Sequence, residues 1–125
     1  MPGVTLDTGG LIALDRDDRR VVVLLARARE TAATVTIPAT ALAQAVRQPE
    51  RQVRLARLAR QPTTDVVSLD RVDATNVGRL LAASGTADIV DAHVVVCARR
   101  SQQDVVSSEP DDLRLLDPTL RVIPI

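Results

Sequence analysis

Phe, Tyr and Trp are all absent from this 125-residue chain, and so is Lys; its 16 cationic side chains are all Arg, balanced by 16 acids to a formal charge of zero. Each absence excludes something. Without rings the protein cannot stack bases as RNA-recognition and OB-type domains do, and its core must be built from Val, Leu, Ile and Ala. Without lysine it has neither the nucleotide-binding lysine of a phosphate-binding loop nor the one that receiver and haloacid-dehalogenase-type phospho-acceptor sites use. Zero net charge gives no global field to draw in a polyanion, so phosphate contacts must be local, through Arg, backbone amides or a bridging metal. The single cysteine, Cys97, lies among Val94, Val95, Val96 and Ala98. It permits no disulfide within the chain and reads as a buried, inert thiol. The single histidine, His93, sits on an apolar helix-like segment and reads as a satisfied, semi-buried imidazole, which leaves serine or cysteine nucleophile schemes without a base. The longest apolar runs, Val21 to Ala26 and His93 to Ala98, are too short to span a bilayer, and no segment resembles a targeting signal. A cytoplasmic protein with no membrane contact is the expectation.

What is present is a 46% hydrophobic composition, enough for one compact core over residues 1–125. Short apolar runs alternate with helix-like segments, with no repeat or linker between them. Strands are expected at Val4 to Leu6, Thr34 to Ile37, Asp65 to Leu69, Asp104 to Ser107 and Leu120 to Ile123. Helices are expected from a short turn at Gly9 to Leu14, then Arg19 to Glu30, a stretch opened by Pro38 and running through Val46, Glu50 to Gln61, a segment capped by Asp70 and closed at Gly85, and Ala87 to Arg100. Strands alternating with helices imply an α/β fold with a central parallel sheet of four to five strands.

Acidic side chains cluster where the apolar runs stop. Asp7 closes Val4-Thr5-Leu6. Asp88 and Asp91 open the helix after Ser84-Gly85-Thr86. Glu109 and Asp112 follow Val105-Val106-Ser107-Ser108. Helix capping and dipole complementarity explain single acids at such places. They do not explain so many at once, nor two carboxylates on a helix apolar nearly all round. If the runs are parallel strands, these acids meet at the carboxyl edge of one sheet, where open α/β folds place their sites. Crowded carboxylates repel one another unless a cation binds among them, and all-oxygen donors select Mg²⁺ or Mn²⁺. Arg47, Arg51, Arg54, Arg57 and Arg60 recur every three or four residues. They line one helix face as a solvated stripe or as a contact for phosphates or an acidic partner.

Four blocks together resemble a PIN domain, in particular the VapC-type toxins of bacterial toxin–antitoxin pairs. They are Leu6-Asp7-Thr8; Ile37-Pro38-Ala39 leading to Ala43-Gln44-Ala45-Val46-Arg47; Asp88-Ile89-Val90-Asp91-Ala92-His93-Val94-Val95; and Val106-Ser107-Ser108-Glu109-Pro110-Asp111-Asp112-Leu113. The resemblance covers the whole chain as a single PIN-like domain and implies a three-layer α/β/α fold. It implies a Mg²⁺- or Mn²⁺-dependent endoribonuclease that forms a homodimer and is inhibited by a cognate antitoxin whose tail lies across the active site. Asp7, Asp88, Asp91 and Glu109 would hold the metal, with Gln44 positioning water or substrate, and Thr8, Asp112 and Arg47 standing nearby; Thr8 or Ser107 would hydrogen-bond a phosphate oxygen. Two residues depart from the family pattern: Gln44 stands where Glu is common, and Glu109 where Asp or Asn is usual. Both departures weaken the implied metal binding, and they leave a second expectation, a PIN-like domain that binds RNA or an antitoxin without cutting.

Overall fold

The computed structural model describes residues 3–125. In chain order the elements are β1 (Val4–Leu6), α1 (Thr8–Asp15), α2 (Arg19–Glu30), β2 (Val35–Pro38), α3 (Ala39–Ala45), a 3-10 turn (Pro49–Arg51), α4 (Val53–Arg60), β3 (Thr64–Val67), α5 (Arg71–Ser84), α6 (Ile89–Ser101), β4 (Asp104–Ser107), α7 (Pro110–Leu116) and β5 (Val122–Pro124). The five strands form one parallel sheet in the order β3-β2-β1-β4-β5. The fold is therefore α/β, with a five-stranded parallel sheet and seven α-helices among the described residues.

The central strands are short β-branched and aliphatic runs buried on both faces, as parallel strands between helices must be. Every residue of β1 and β2 is buried, as are Val105, Val106 and Ser107 of β4, whereas the two edge strands are partly exposed. The largest fully buried side chains include Leu6, Leu11, Ile37, Val94, Val95, Val105, Val106 and Leu113. With no rings available, close packing is reached with small branched residues. Helix α6 runs through the middle of the molecule, against β1, β2 and β4 and against α3, α5 and α7. Among the described residues no single helix is long and apolar enough to cross a membrane.

Local chemistry sets most boundaries. Asp7, Asp18, Asp70 and Asp88 each cap a helix through a carboxylate oxygen that accepts a first-turn amide. Gly85 ends α5 at φ +68°, where its N–H and that of Thr86 both reach the Leu81 carbonyl. Two boundaries differ from expectation. Pro38 ends β2 and stands one residue ahead of α3 instead of opening it. The helix expected over Glu50 to Gln61 is divided into the 3-10 turn and α4 by the buried Gln52. Its side-chain oxygen accepts the amides of Arg47 and Gln48 at 2.9 and 3.0 Å, and its Nε2 donates to the Ala45 carbonyl at 2.9 Å. A side chain thus replaces the hydrogen bonds that a continuing helix would have made.

The strand order positions the site. From β1 the chain steps outward to β2 and β3, then returns to place β4 on the other side of β1. The carboxyl ends of β1 and β4 therefore flank the point where the winding reverses, the crevice in which open α/β sheets bind ligands.

Candidate active site

At that crevice lies a cleft of about 360 Å³ lined by Asp7, Thr8, Gly9, Ile12, Gln44, Asp88, Asp91, Ser108 and Glu109. Three separate segments bring four carboxylates to one place, and no cationic side chain lines it. Asp7 follows β1 directly and is buried. Its Oδ1 accepts the Gly10 amide at 2.8 Å, which caps α1 and leaves the second oxygen for the cleft. Asp88 does the same one element over, its Oδ1 accepting the Asp91 amide at 3.0 Å. Capping and site-building are therefore not alternatives here, because each carboxylate has two oxygens.

Two glycines make the convergence possible. A β-carbon at Gly9 would sit 2.1 Å from the Ser108 hydroxyl oxygen, and one at Gly10 would sit 2.9 Å from the Val106 carbonyl. Only a glycine pair lets the first turn of α1 lie this close to the end of β4.

The cleft's electrostatics follow from crowding. Burial pushes the Asp7 carboxyl above its ordinary value, against hydrogen bonds from the Ser107 side chain and the Gly10 and Gly9 amides that pull it down. Asp91 is raised to about 7, first by burial and then by repulsion from Asp88, Asp7, Asp112 and Glu109. Glu109 is raised mainly by a hydrogen bond and repulsion from Asp112. A carboxyl raised this far holds its proton up to near-neutral pH, which eases the repulsion in the absence of any cation.

The other expected residues fall as follows. Gln44 lines the cleft, and its carbonyl oxygen accepts the Thr8 hydroxyl at 2.7 Å, so the two act as a pair. Asp112 is exposed on the first turn of α7, outside the lining, and acts on it through its hydrogen bond to Glu109 and through its charge. Ser107 is buried, and its hydroxyl accepts the Glu109 amide at 2.9 Å. Ser108, which sequence reasoning passed over together with Ile12, lines the cleft in its place; the only signal was the Ser-Ser pair after a strand. Arg47 does not reach the acids. Its guanidinium donates to the Ala43 and Val46 carbonyls, because α3 ends at Ala45 and turns the side chain back on itself. His93 is fully buried rather than semi-buried, and burial lowers its pKa and keeps it neutral.

The arginines do not form one continuous helical stripe, since Arg47 lies beyond α3, Arg51 in the 3-10 turn, and Arg54, Arg57 and Arg60 on α4. Arg54 and Arg57 border a larger cavity of about 610 Å³ with Leu14, Val22, Leu25 and Leu58. That cavity joins aliphatic residues to three arginines, Arg29, Arg54 and Arg57, with Asp17 and Glu30 among them and Asp17 paired to Arg54 at 3.6 Å, so chemistry favours the smaller, cation-free cleft as the candidate active site.

No protein-family model matches the chain, and no curated protein sequence matches it. Among the solved structures that share its fold, two cover nearly the whole chain. One is the crystal structure of VapBC2 from Rickettsia felis bound to a DNA fragment from their promoter, at 14% identity and a TM-score of 0.67, covering 98% of each chain. The other is that of FitAcB from Neisseria gonorrhoeae, at 16% identity and 0.63, covering 96% of each. The chain shares its fold with a chain in each of these two structures. The sequence-based assignment to the PIN-domain, VapC-type toxins is corrected by these findings. No family model supports it, and the neighbours are complexes holding both halves of a pair, at identities that show fold and not role.

Proposed function

We propose that the chain is a Mg²⁺- or Mn²⁺-dependent endoribonuclease working within a toxin–antitoxin pair. The observation that carries this is the cleft itself: four carboxylates from three segments, at the switch point of the sheet, with no cation lining it. Such a donor set fits a hard divalent ion, being all oxygen and short of positive charge. Asp7, Asp88, Asp91 and Glu109 would hold it, and a bound ion of this kind polarises a phosphate oxygen and lowers the pKa of water.

The chain's own residues have definable parts. Asp7 and Asp88 are held by capping hydrogen bonds, so each presents one oxygen in a fixed direction. Asp91 gives up its proton when positive charge enters the cleft. The Thr8 hydroxyl holds the Gln44 carbonyl, which leaves the Gln44 NH₂ to donate to water or a phosphate oxygen. Ser108 offers a hydroxyl on the opposite wall. Without a cation the same cleft repels phosphodiesters, so substrate binding and metal binding are linked.

RNA as the substrate, a homodimer, a cytoplasmic setting, a cognate antitoxin and helices on both faces of the sheet in three layers belong to the same proposal. A second reading, a chain that binds within the pair without cutting, is favoured by Gln44, whose carboxamide leaves the cleft one charge poorer than a carboxylate would. The deciding experiment incubates the purified protein with total RNA, with and without Mn²⁺, beside Asp88→Asn, and maps the cut ends. Mn²⁺-dependent cuts lost in the variant support the nuclease. Their absence, with retained partner binding, supports the second reading.

A further inference from the structure

A second cluster of ligand-type side chains lies away from the cleft, between α5 and α6. His93 and Cys97 are four residues apart and share one face of α6, and Asp73 of α5 faces them. All three are buried, at 0%, 1% and 2% exposure, and their ligand atoms lie within 4.8 Å of one another. The polar atoms here are incompletely satisfied. His93 Nε2 and Asp73 Oδ2 are both buried without a hydrogen-bond partner. They stand 3.7 Å apart, too far for a hydrogen bond and close enough to share a third atom between them.

We propose that Asp73, His93 and Cys97 form a site for a borderline-soft divalent ion, Zn²⁺ by donor type, distinct from the all-oxygen cleft. One nitrogen, one sulfur and one carboxylate oxygen are the donors zinc takes, with a fourth position left to water. The surroundings are arranged as for a ligating histidine. Nδ1 of His93 is 2.7 Å from the Thr40 hydroxyl, a partner that fixes the ring and turns Nε2 toward Asp73. The other Asp73 oxygen is held by the Arg100 guanidinium. The Asp73 carboxylate and a Cys97 thiolate together set two negative charges against the dication, and the Arg100 guanidinium that pairs with Asp73 is half exposed, so solvent screens its remaining charge. Binding requires the Cys97 S–H bond to break, its proton passing to buffer as the metal–sulfur bond forms. Tetrahedral zinc separates its ligand atoms by about 3.5 Å, so the cluster must contract by about 1 Å on binding. The ion would tie α5 to α6 two residues beyond Asp91, and so stiffen the helix that carries two of the cleft acids.

Because Cys97 is the only cysteine, a thiolate signal reports this site alone. The full chain is stripped with chelator in denaturant, refolded with Co²⁺, and checked for fold by circular dichroism. One equivalent of Co²⁺ should produce a thiolate-to-cobalt absorption band in the near ultraviolet. The band should vanish in Cys97→Ser, need more than tenfold higher Co²⁺ in Asp73→Asn and His93→Gln, and persist in Asp88→Asn. Zn²⁺ should raise the melting temperature of the wild-type chain and not that of Cys97→Ser. A refolded wild-type chain with no band at saturating Co²⁺ overturns the proposal, whatever the variants do. A band indifferent to both Asp73→Asn and His93→Gln overturns the three-ligand assignment.

Discussion

Replacing Asp91 by Asn removes the one carboxyl that burial, and then the neighbouring acids, raise to about 7, and the effect of that change on stability must itself depend on pH. In the unfolded chain the same carboxyl titrates near 3.8. A carboxyl raised on folding favours the folded state only while protonated. Its penalty is absent below about pH 4, grows through the window from about 4 to about 7, and is complete above it. Three pKa units correspond to roughly 4 kcal/mol; Asp91 is only half buried, and solvent and salt reduce this to about 1–2 kcal/mol. Metal-free Asp91→Asn should therefore melt about 3–8 °C above wild type at pH 8 and level with it at pH 4. The same proton competes with the cation. Between pH 8 and pH 6 the ionised fraction of Asp91 falls about tenfold, so the wild-type affinity for Mn²⁺ should fall about tenfold as well. Calorimetric titrations of Mn²⁺ at the two pH values, repeated in buffers of different ionisation enthalpy, would show the released proton. A stability difference between variant and wild type that does not change with pH refutes the reasoning, and so does Mn²⁺ binding that releases no proton.

Asp7→Asn and Asp88→Asn should each lower Mn²⁺-dependent RNA cleavage by more than about a hundredfold, beyond the loss of an outer-sphere partner, with the fold kept because Asn also caps helices; unchanged cleavage in both would exclude the cleft as the site. Gln44→Glu adds a charge beside the cation while keeping an acceptor for Thr8, and in near-aqueous surroundings this should tighten Mn²⁺ by about 1 kcal/mol, roughly fivefold. Equal or weaker affinity by titration would mean that Gln44 serves Thr8 alone. Changing Arg51, Arg54 and Arg57 together to Gln should flatten the salt dependence of RNA binding by about 0.7 in slope for each phosphate no longer neutralised, with Mn²⁺ affinity intact. Normal cleavage with impaired partner binding would instead assign them to the antitoxin, and no change in either would leave a solvated face.

The strands and helix starts were legible because the signals are local. Alternating apolar runs and an Asp ahead of four of the seven helices need no distant partner, and β1, α2 and β4 fall where periodicity and capping put them. The convergence of Asp7, Asp88, Asp91 and Glu109 on one cleft was legible for a related reason: parallel strands send Asp7 and Glu109, which follow β1 and β4, to one edge, and the helix leading back into β4 starts at that edge with Asp88 and Asp91. What could not be read depends on side chains far apart in sequence. Gln52 closes α3 through amides four and five residues back, and that early end carries Arg47 away from the acids. Likewise, nothing local in His93 shows that Asp73, twenty residues earlier, will face it inside the core. The family role assigned from short blocks failed for another reason. Blocks of this length report where a sheet edge lies, which unrelated chemistries share, and not which half of a complex a chain supplies.

Gly9 and Ser108 cannot vary independently. A methyl group at residue 9 would occupy the space of the Ser108 hydroxyl and would still press on its β-carbon at 3.1 Å and its amide nitrogen at 3.3 Å. Gly9→Ala should therefore be harmful against the native background, and much of the harm should disappear when Ser108→Gly is already in place. The two walls of the cleft lie about a hundred residues apart in the chain, yet the effects of substituting them are not additive. A lineage could exchange the bulky side of this contact only in one order, losing the serine before gaining the alanine.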